Sequence, residues 1–170
     1  AGPEQQQTRY FEAVTSMPAI TQGSGDRELY AFFDPNCPVC HELYNDLLEH
    51  VGSGELTVHW IPAAVFSKEA SSIGVSAQLL HTLETQGNEA ALGQLETVLS
   101  NSSGASQLFD GFRASRHAAY IDQVTLGTAL LAVAKPATPL LVFQNQSGGL
   151  TIDSGIPSPG WVAQIASQAE

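Results

Sequence analysis

Between Leu29 and Ile61 the spacing of apolar residues changes twice, and this constrains the fold more than any other feature of the chain. Leu29-Tyr30-Ala31-Phe32-Phe33 is apolar at nearly every position, the pattern of a strand buried on both faces. Asp34-Pro35-Asn36 ends it. From Pro38 the period becomes helical: Val39, Cys40, Leu43, Tyr44, Leu47, Leu48 and Val51 fall on one stripe. His41, Glu42, Asn45, Asp46, Glu49 and His50 take the other side, and Gly52-Ser53-Gly54 closes the helix. Leu56-Thr57-Val58-His59-Trp60-Ile61 then reads as a second strand, stopped by Pro62. Strand, helix and strand in this order predict a βαβ unit whose parallel strands are joined by a right-handed crossover.

Around that unit, residues 1–25 read as a lead-in with a short helix from Thr8 to Val14 and a break at Gly23-Ser24-Gly25. From Lys68 to about Lys135 the chain is rich in Ala, Leu, Gln and Ser at helical spacing. Ile73/Ala77/Leu80/Leu83, Leu92/Leu95/Val98/Leu99 and His117/Tyr120/Ile121/Val124 are the clearest stripes. They predict three or four helices, broken near Gly87-Asn88 and at Asn101-Ser102-Ser103-Gly104. Leu140-Leu141-Val142-Phe143 and Leu150-Thr151-Ile152 flank Gly148-Gly149 as an antiparallel hairpin. Ser158-Pro159 starts a last helix with Trp161, Val162, Ile165 and Ala166 on its buried face. The expected class is α/β: a mixed sheet with helices on both faces. The domain spans 26–170, with a helical insertion over about 68–135 between a βαβ half and a ββα half.

At 170 residues the chain is large enough to bury such a core without staples. The net charge of −11 argues against nucleic acid and anionic lipid as partners, because binding phosphate rests on Lys and Arg. No apolar run approaches the length of a membrane helix. The opening Ala1-Gly2-Pro3-Glu4-Gln5-Gln6-Gln7 lacks the basic and apolar stretches of a signal peptide. This fits a cytosolic protein or an exported one whose signal has been removed.

The two cysteines both lie in Cys37-Pro38-Val39-Cys40. A stapling framework would scatter its cysteines, so this pair reads as chemical rather than structural. Cys40 falls on the apolar stripe and should be sheltered, whereas Cys37 precedes the stripe at the helix N-terminus and should be exposed. There the free N–H groups and the positive end of the helix dipole favour the thiolate, the nucleophile of disulfide exchange. Cys37 is thus expected to attack and Cys40 to resolve the mixed disulfide.

Phe33-Asp34-Pro35-Asn36-Cys37-Pro38-Val39-Cys40, with His59-Trp60-Ile61-Pro62 and the later Ala137-Thr138-Pro139, resembles the catalytic domain of the bacterial periplasmic disulfide isomerases DsbC and DsbG. The likeness is closer to DsbG, which also carries Pro after the first Cys. It implies a thioredoxin fold and a thiol–disulfide oxidoreductase in the periplasm, with no cofactor or metal. Its partners would be exported proteins bearing thiols or disulfides and a redox partner protein. It also implies a cis Thr138-Pro139 bond beside the cysteines, holding the substrate backbone, with Pro38 and Val39 tuning the potential. Three features depart from the pattern. The lead-in is too short for the N-terminal dimerisation domain, which implies a monomeric catalytic domain. Ala31 stands where thioredoxin and DsbA carry an acidic residue, so Cys40 needs another route for its proton. Pro38-Val39 differs from both the Pro-His of DsbA and the Gly-Pro of thioredoxin.

Two other chemistries use the same residues. Cys37-Pro38-Val39-Cys40-His41 matches the C-x-x-C-H attachment signature of c-type haem, with Met17 or another His as the second axial ligand. A thioredoxin-like metal (copper) binding protein is the other; a zinc site would need, beside the two cysteines, two ligands from His41, His50, His59, His81 and His117, none of them in H-x₃₋₅-H spacing.

Overall fold

The computed structural model describes residues 2–66, 68–154 and 159–169. The chain opens with α1 (Pro3–Thr15) and the short strand β1 (Ile20–Gln22), followed by β2 (Arg27–Phe33), α2 (Pro38–Gly52) and β3 (Leu56–Pro62). The next helices are α3 (Ala70–Gln86), α4 (Asn88–Leu99), α5 (Gly104–Phe109), α6 (Ala114–His117) and α7 (Ile121–Ala134). A 3₁₀ turn over Ala118–Tyr120 separates the last two, and β4 (Leu140–Gln144), β5 (Leu150–Asp153) and α8 (Pro159–Gln168) complete the chain.

Among the described residues, five strands form one sheet in the order β1-β3-β2-β4-β5. The central pair β2 and β3 is parallel, Leu29 opposite Val58 and Phe33 opposite Pro62, with α2 as the crossover. β4 runs antiparallel to β2, and β5 antiparallel to β4. Successive residues of β2 point to opposite faces, and both faces are covered. Leu29, Ala31 and Phe33 join Val58, Trp60, the stripe of α2 and residues of α4 and α8 in one buried cluster. Phe32 joins Ile61, Val14 of α1, Leu131 of α7, Leu140 and Val142 on the other side.

The βαβ unit, the hairpin and the two-sided burial follow the apolar pattern. Within α2, Cys40, Leu43, Tyr44 and Leu47 are buried, while Leu48 lies at the edge of the stripe and is 42% exposed. Three differences have local causes. The first helix is longer than Thr8–Val14, because Pro3 sits in its first turn, where a missing N–H costs nothing. The lead-in also holds β1, which pairs antiparallel with β3. Its Thr21 exchanges two hydrogen bonds with the Asn88 side chain, both 2.8 Å.

The insertion has five α-helices among the described residues rather than three or four. The stripe through His117, Tyr120 and Val124 is not one helix: Nδ1 of the buried His117 accepts the Arg113 N–H at 2.9 Å, and the 3₁₀ turn intervenes. The break at Asn101–Ser103 leads to Gly104, where a Cβ would collide with the Thr97 carbonyl oxygen. Only glycine lets α5 start so close to α4. The N-cap expected at Ser158 lies outside the described residues.

Candidate active site

Pro38 occupies the first turn of α2, and Cys37 is its N-cap with extended backbone (φ −83, ψ 112). This conformation turns Cys37 Sγ back over the helix end, where it accepts the Cys40 N–H at 3.2 Å. The sulfur thus takes the place a Ser or Asp oxygen has in an ordinary cap. Both cysteines are free thiols. Cys40 is fully buried, as its place on the stripe requires.

Cys37 is only 2% exposed, which corrects the expectation of an exposed sulfur. The cover comes from a part of the chain about a hundred residues later. The segment before β4 crosses the end of α2 and puts the Thr138 carbonyl oxygen 3.7 Å from Cys37 Sγ. The Thr138–Pro139 peptide bond is cis. Thr138 Oγ1 is buried without a well-aligned hydrogen-bond partner, yet it lies beside both sulfurs and favours both thiolates. Pro139 is buried at the start of β4, Pro38 is exposed and Val39 is half-buried. The structure therefore gathers Cys37, Pro38, Val39, Cys40, Thr138 and Pro139 at one end of the sheet.

The two thiols differ strongly. Cys37 is lowered from 9.0 to about 6, first by the Cys40 thiol donating to it, against the opposing effect of burial. The Thr138 hydroxyl and the N–H groups of Cys40 and Val39 add to the lowering. The helix end therefore contributes, but the partner thiol contributes more. Cys40 is raised well above 9.0, first by burial, then because its thiol donates a hydrogen bond to Cys37 and sits beside that developing charge. One sulfur is prepared as thiolate and the other kept as thiol.

Asp34, passed over in the sequence as a turn residue, is fully buried directly beneath this loop. The Asn36 N–H and Ser72 hydroxyl donate to its Oδ1 at 2.9 and 2.7 Å. The Val65 and Phe66 N–H groups donate to Oδ2 at 2.9 and 3.1 Å. An Asp at the buried end of a strand, followed by Pro-Asn before the motif, was the available signal.

The haem and metal readings do not fit this arrangement. Both sulfurs are buried at the start of α2. His41 Nε2 lies 3.0 Å from the Pro35 carbonyl, and Met17 packs on the opposite face of the sheet. His50 pairs with Glu55 and His59 with Glu28, both at 2.9 Å. His81 and His117 meet edge to face within the insertion. Among the described residues, no three His, Cys, Asp or Glu side chains converge as a metal-binding group.

The chain has the thioredoxin-like fold shared by several solved structures. A periplasmic thioredoxin-like protein from Salmonella enterica serovar Typhimurium superposes with a TM-score of 0.71 at 17% identity, over 93% of this chain and 94% of that one. The catalytic domain of Proteus mirabilis ScsC gives 0.69 at 15%, over 96% of both chains. The thiol-disulfide exchange protein alpha-DsbA2 from Wolbachia pipientis gives 0.70 at 14%, over 96% and 93%. No protein-family model and no curated protein sequence matches the chain. No described helix is long and apolar enough to cross a membrane.

Proposed function

We propose that the protein is a thiol–disulfide oxidoreductase that exchanges disulfides with exported protein thiols in the periplasm. The observation that carries this reading is the asymmetry of the pair: a Cys37 sulfur capping α2 and lowered to about 6, beside a buried Cys40 raised well above 9.0. The names of the superposing proteins support exchange chemistry and an extracytoplasmic setting. They favour the broad Dsb class over DsbC and DsbG in particular.

In the reducing direction the Cys37 thiolate attacks one sulfur of a substrate disulfide. A Cys37–substrate disulfide forms, and the other substrate sulfur leaves as a thiolate that takes a proton from water. Cys40 then gives its proton to water, replacing the one the first substrate thiolate took, and attacks Cys37 Sγ, which forms the Cys37–Cys40 disulfide and releases the second substrate sulfur as a thiolate. The substrate gains two electrons and the pair loses two; the reverse sequence donates a disulfide. Thr138 and Pro139 form the wall against which the substrate backbone lies, and Pro38 and Val39 present the apolar rim. The redox partner sets the direction.

Two assays test this together. The reduced protein should accelerate insulin reduction at least about tenfold over a small dithiol alone, a barrier change of about 1.4 kcal/mol. Equilibration with glutathione should place the pair between about −120 and −270 mV, the range from a strong oxidant to a reductant. Absence of catalysis in both the reducing and the oxidising assay would contradict the reading.

A further inference from the structure

We infer that Asp34, acting through Asn36 and Ser72, is a positioning residue that holds the Cys37 turn in its thiolate-bearing geometry and ties that geometry to the helical insertion. The inference rests on the exchange chemistry proposed above.

A buried carboxylate is expensive unless its oxygens are saturated with donors. Asp34 meets that condition with four donors, drawn from three separate segments. Asn36 belongs to the turn that delivers Cys37, Val65 and Phe66 to the loop after β3, and Ser72 to the first turn of α3. Asn36 closes the circuit, because its Nδ2 donates to the Ser71 and Ser72 hydroxyls at 2.9 Å each.

The main chain of Asp34 touches the pair directly. Its carbonyl accepts the Cys37 N–H at 3.0 Å, and its backbone lies near enough to Cys40 to favour that thiolate slightly against the larger effect of burial. The carboxylate therefore fixes Asn36 from one side while the carbonyl fixes Cys37 from the other. The extended Cys37 backbone that aims Sγ at the Cys40 N–H is set between those two points. If the network loosens, the sulfur swings off the N–H groups of Val39 and Cys40 and off the Cys40 thiol, and the thiolate loses its donors. Position is the mechanism here rather than charge. A negative group acting only through its field would disfavour the thiolate.

The test is the ultraviolet titration of the thiolate in the reduced full chain, read alongside the melting temperature. Ser72→Ala and Asn36→Ala change no charge, and Asp34→Asn removes the carboxylate. The inference expects Ser72→Ala to raise the Cys37 midpoint so that the thiolate fraction at the wild-type midpoint, about 6, falls at least about twofold. Asn36→Ala should do the same, and Asp34→Asn should raise it further. Unchanged midpoints in Ser72→Ala and Asn36→Ala, with only the melting temperature lowered, would reduce the network to structural support and overturn the inference. A midpoint that falls in Asp34→Asn would show a field effect and overturn it equally. Should Asp34→Asn not fold, the two neutral variants still decide. A wild-type chain that titrates near 9.0 would defeat the exchange reading and the inference together. A low wild-type midpoint unmoved by the variants would defeat the inference alone.

Discussion

Cys37→Ser should lower catalysed exchange at least about 1,000-fold, to the background of the small-molecule reductant, because the nucleophile has no substitute within reach. Cys40 is fully buried and kept protonated beside its neighbour, so it cannot replace Cys37 in the first attack. Cys40→Ser should behave differently. Its Cys37 still attacks, but no sulfur follows to release the substrate, so a mixed disulfide accumulates that survives denaturation and is dissolved by dithiothreitol. Cys40→Ser also removes the thiol that contributes most to lowering Cys37, so its first attack should be slower than wild type at pH 6 and recover as the pH rises. Non-reducing gels and mass spectrometry read both outcomes. If Cys37→Ser traps the adduct and Cys40→Ser does not, the assignment of the two sulfurs is reversed.

Trp60→Ala should destabilise the fold by about 4 kcal/mol or more. Trp60 is fully buried on β3, edge-on to Phe33 at 5.8 Å and tilted against Tyr44 at 5.9 Å. Its Nε1 donates to Gln22 Oε1 at 2.9 Å. Removing the indole leaves a cavity, which costs about 3–5 kcal/mol for an aromatic. It also leaves a buried Gln22 oxygen unpaired, at about 1–3 kcal/mol more. Against a total stability of about 5–15 kcal/mol, this is enough to unfold a marginal domain. Trp60→Phe separates the two contributions: most of the apolar volume returns while the hydrogen bond stays lost, so about 1–3 kcal/mol of destabilisation should remain. Urea unfolding of the three proteins reads both values. Equal stability of Trp60→Phe and wild type would show that the Gln22 bond does not hold β1 to the sheet.

What was legible in the sequence was whatever local period encodes. Leu29–Phe33, the α2 stripe and Leu56–Ile61 carry a pattern that only one arrangement buries, and the class of fold followed from them. β1 carried no such signal. Ile20-Thr21-Gln22 offers one strongly apolar residue, and its strand exists because Trp60 and Asn88 supply partners from elsewhere in the chain. The break between α6 and α7 was hidden because the residues on either side share one face, and the stripe takes no account of the His117–Arg113 contact. At the site, the sulfur pair and the helix that carries it were readable. The cover over Cys37 was not, because it is a contact between Thr138 and a residue 101 positions away. Asp34 was misjudged for a related reason. Asp-Pro-Asn after a strand is ordinary turn chemistry, and only the arrival of Ser72 from α3 and of the loop at Val65 makes the carboxylate a buried hub.

The most direct test of the account is the pH dependence of alkylation at each cysteine of the reduced protein, with Cys37 and Cys40 resolved by peptide mass. Cys37 has its pKa lowered, so its thiolate is present above the midpoint and lost as the pH falls through about 6. The account predicts a reactivity at Cys37 that rises to a plateau by pH 7–8, with a midpoint near that value. Cys40 should stay unreactive across the same range. A Cys37 midpoint near 9.0, or two cysteines that react in parallel, would contradict it.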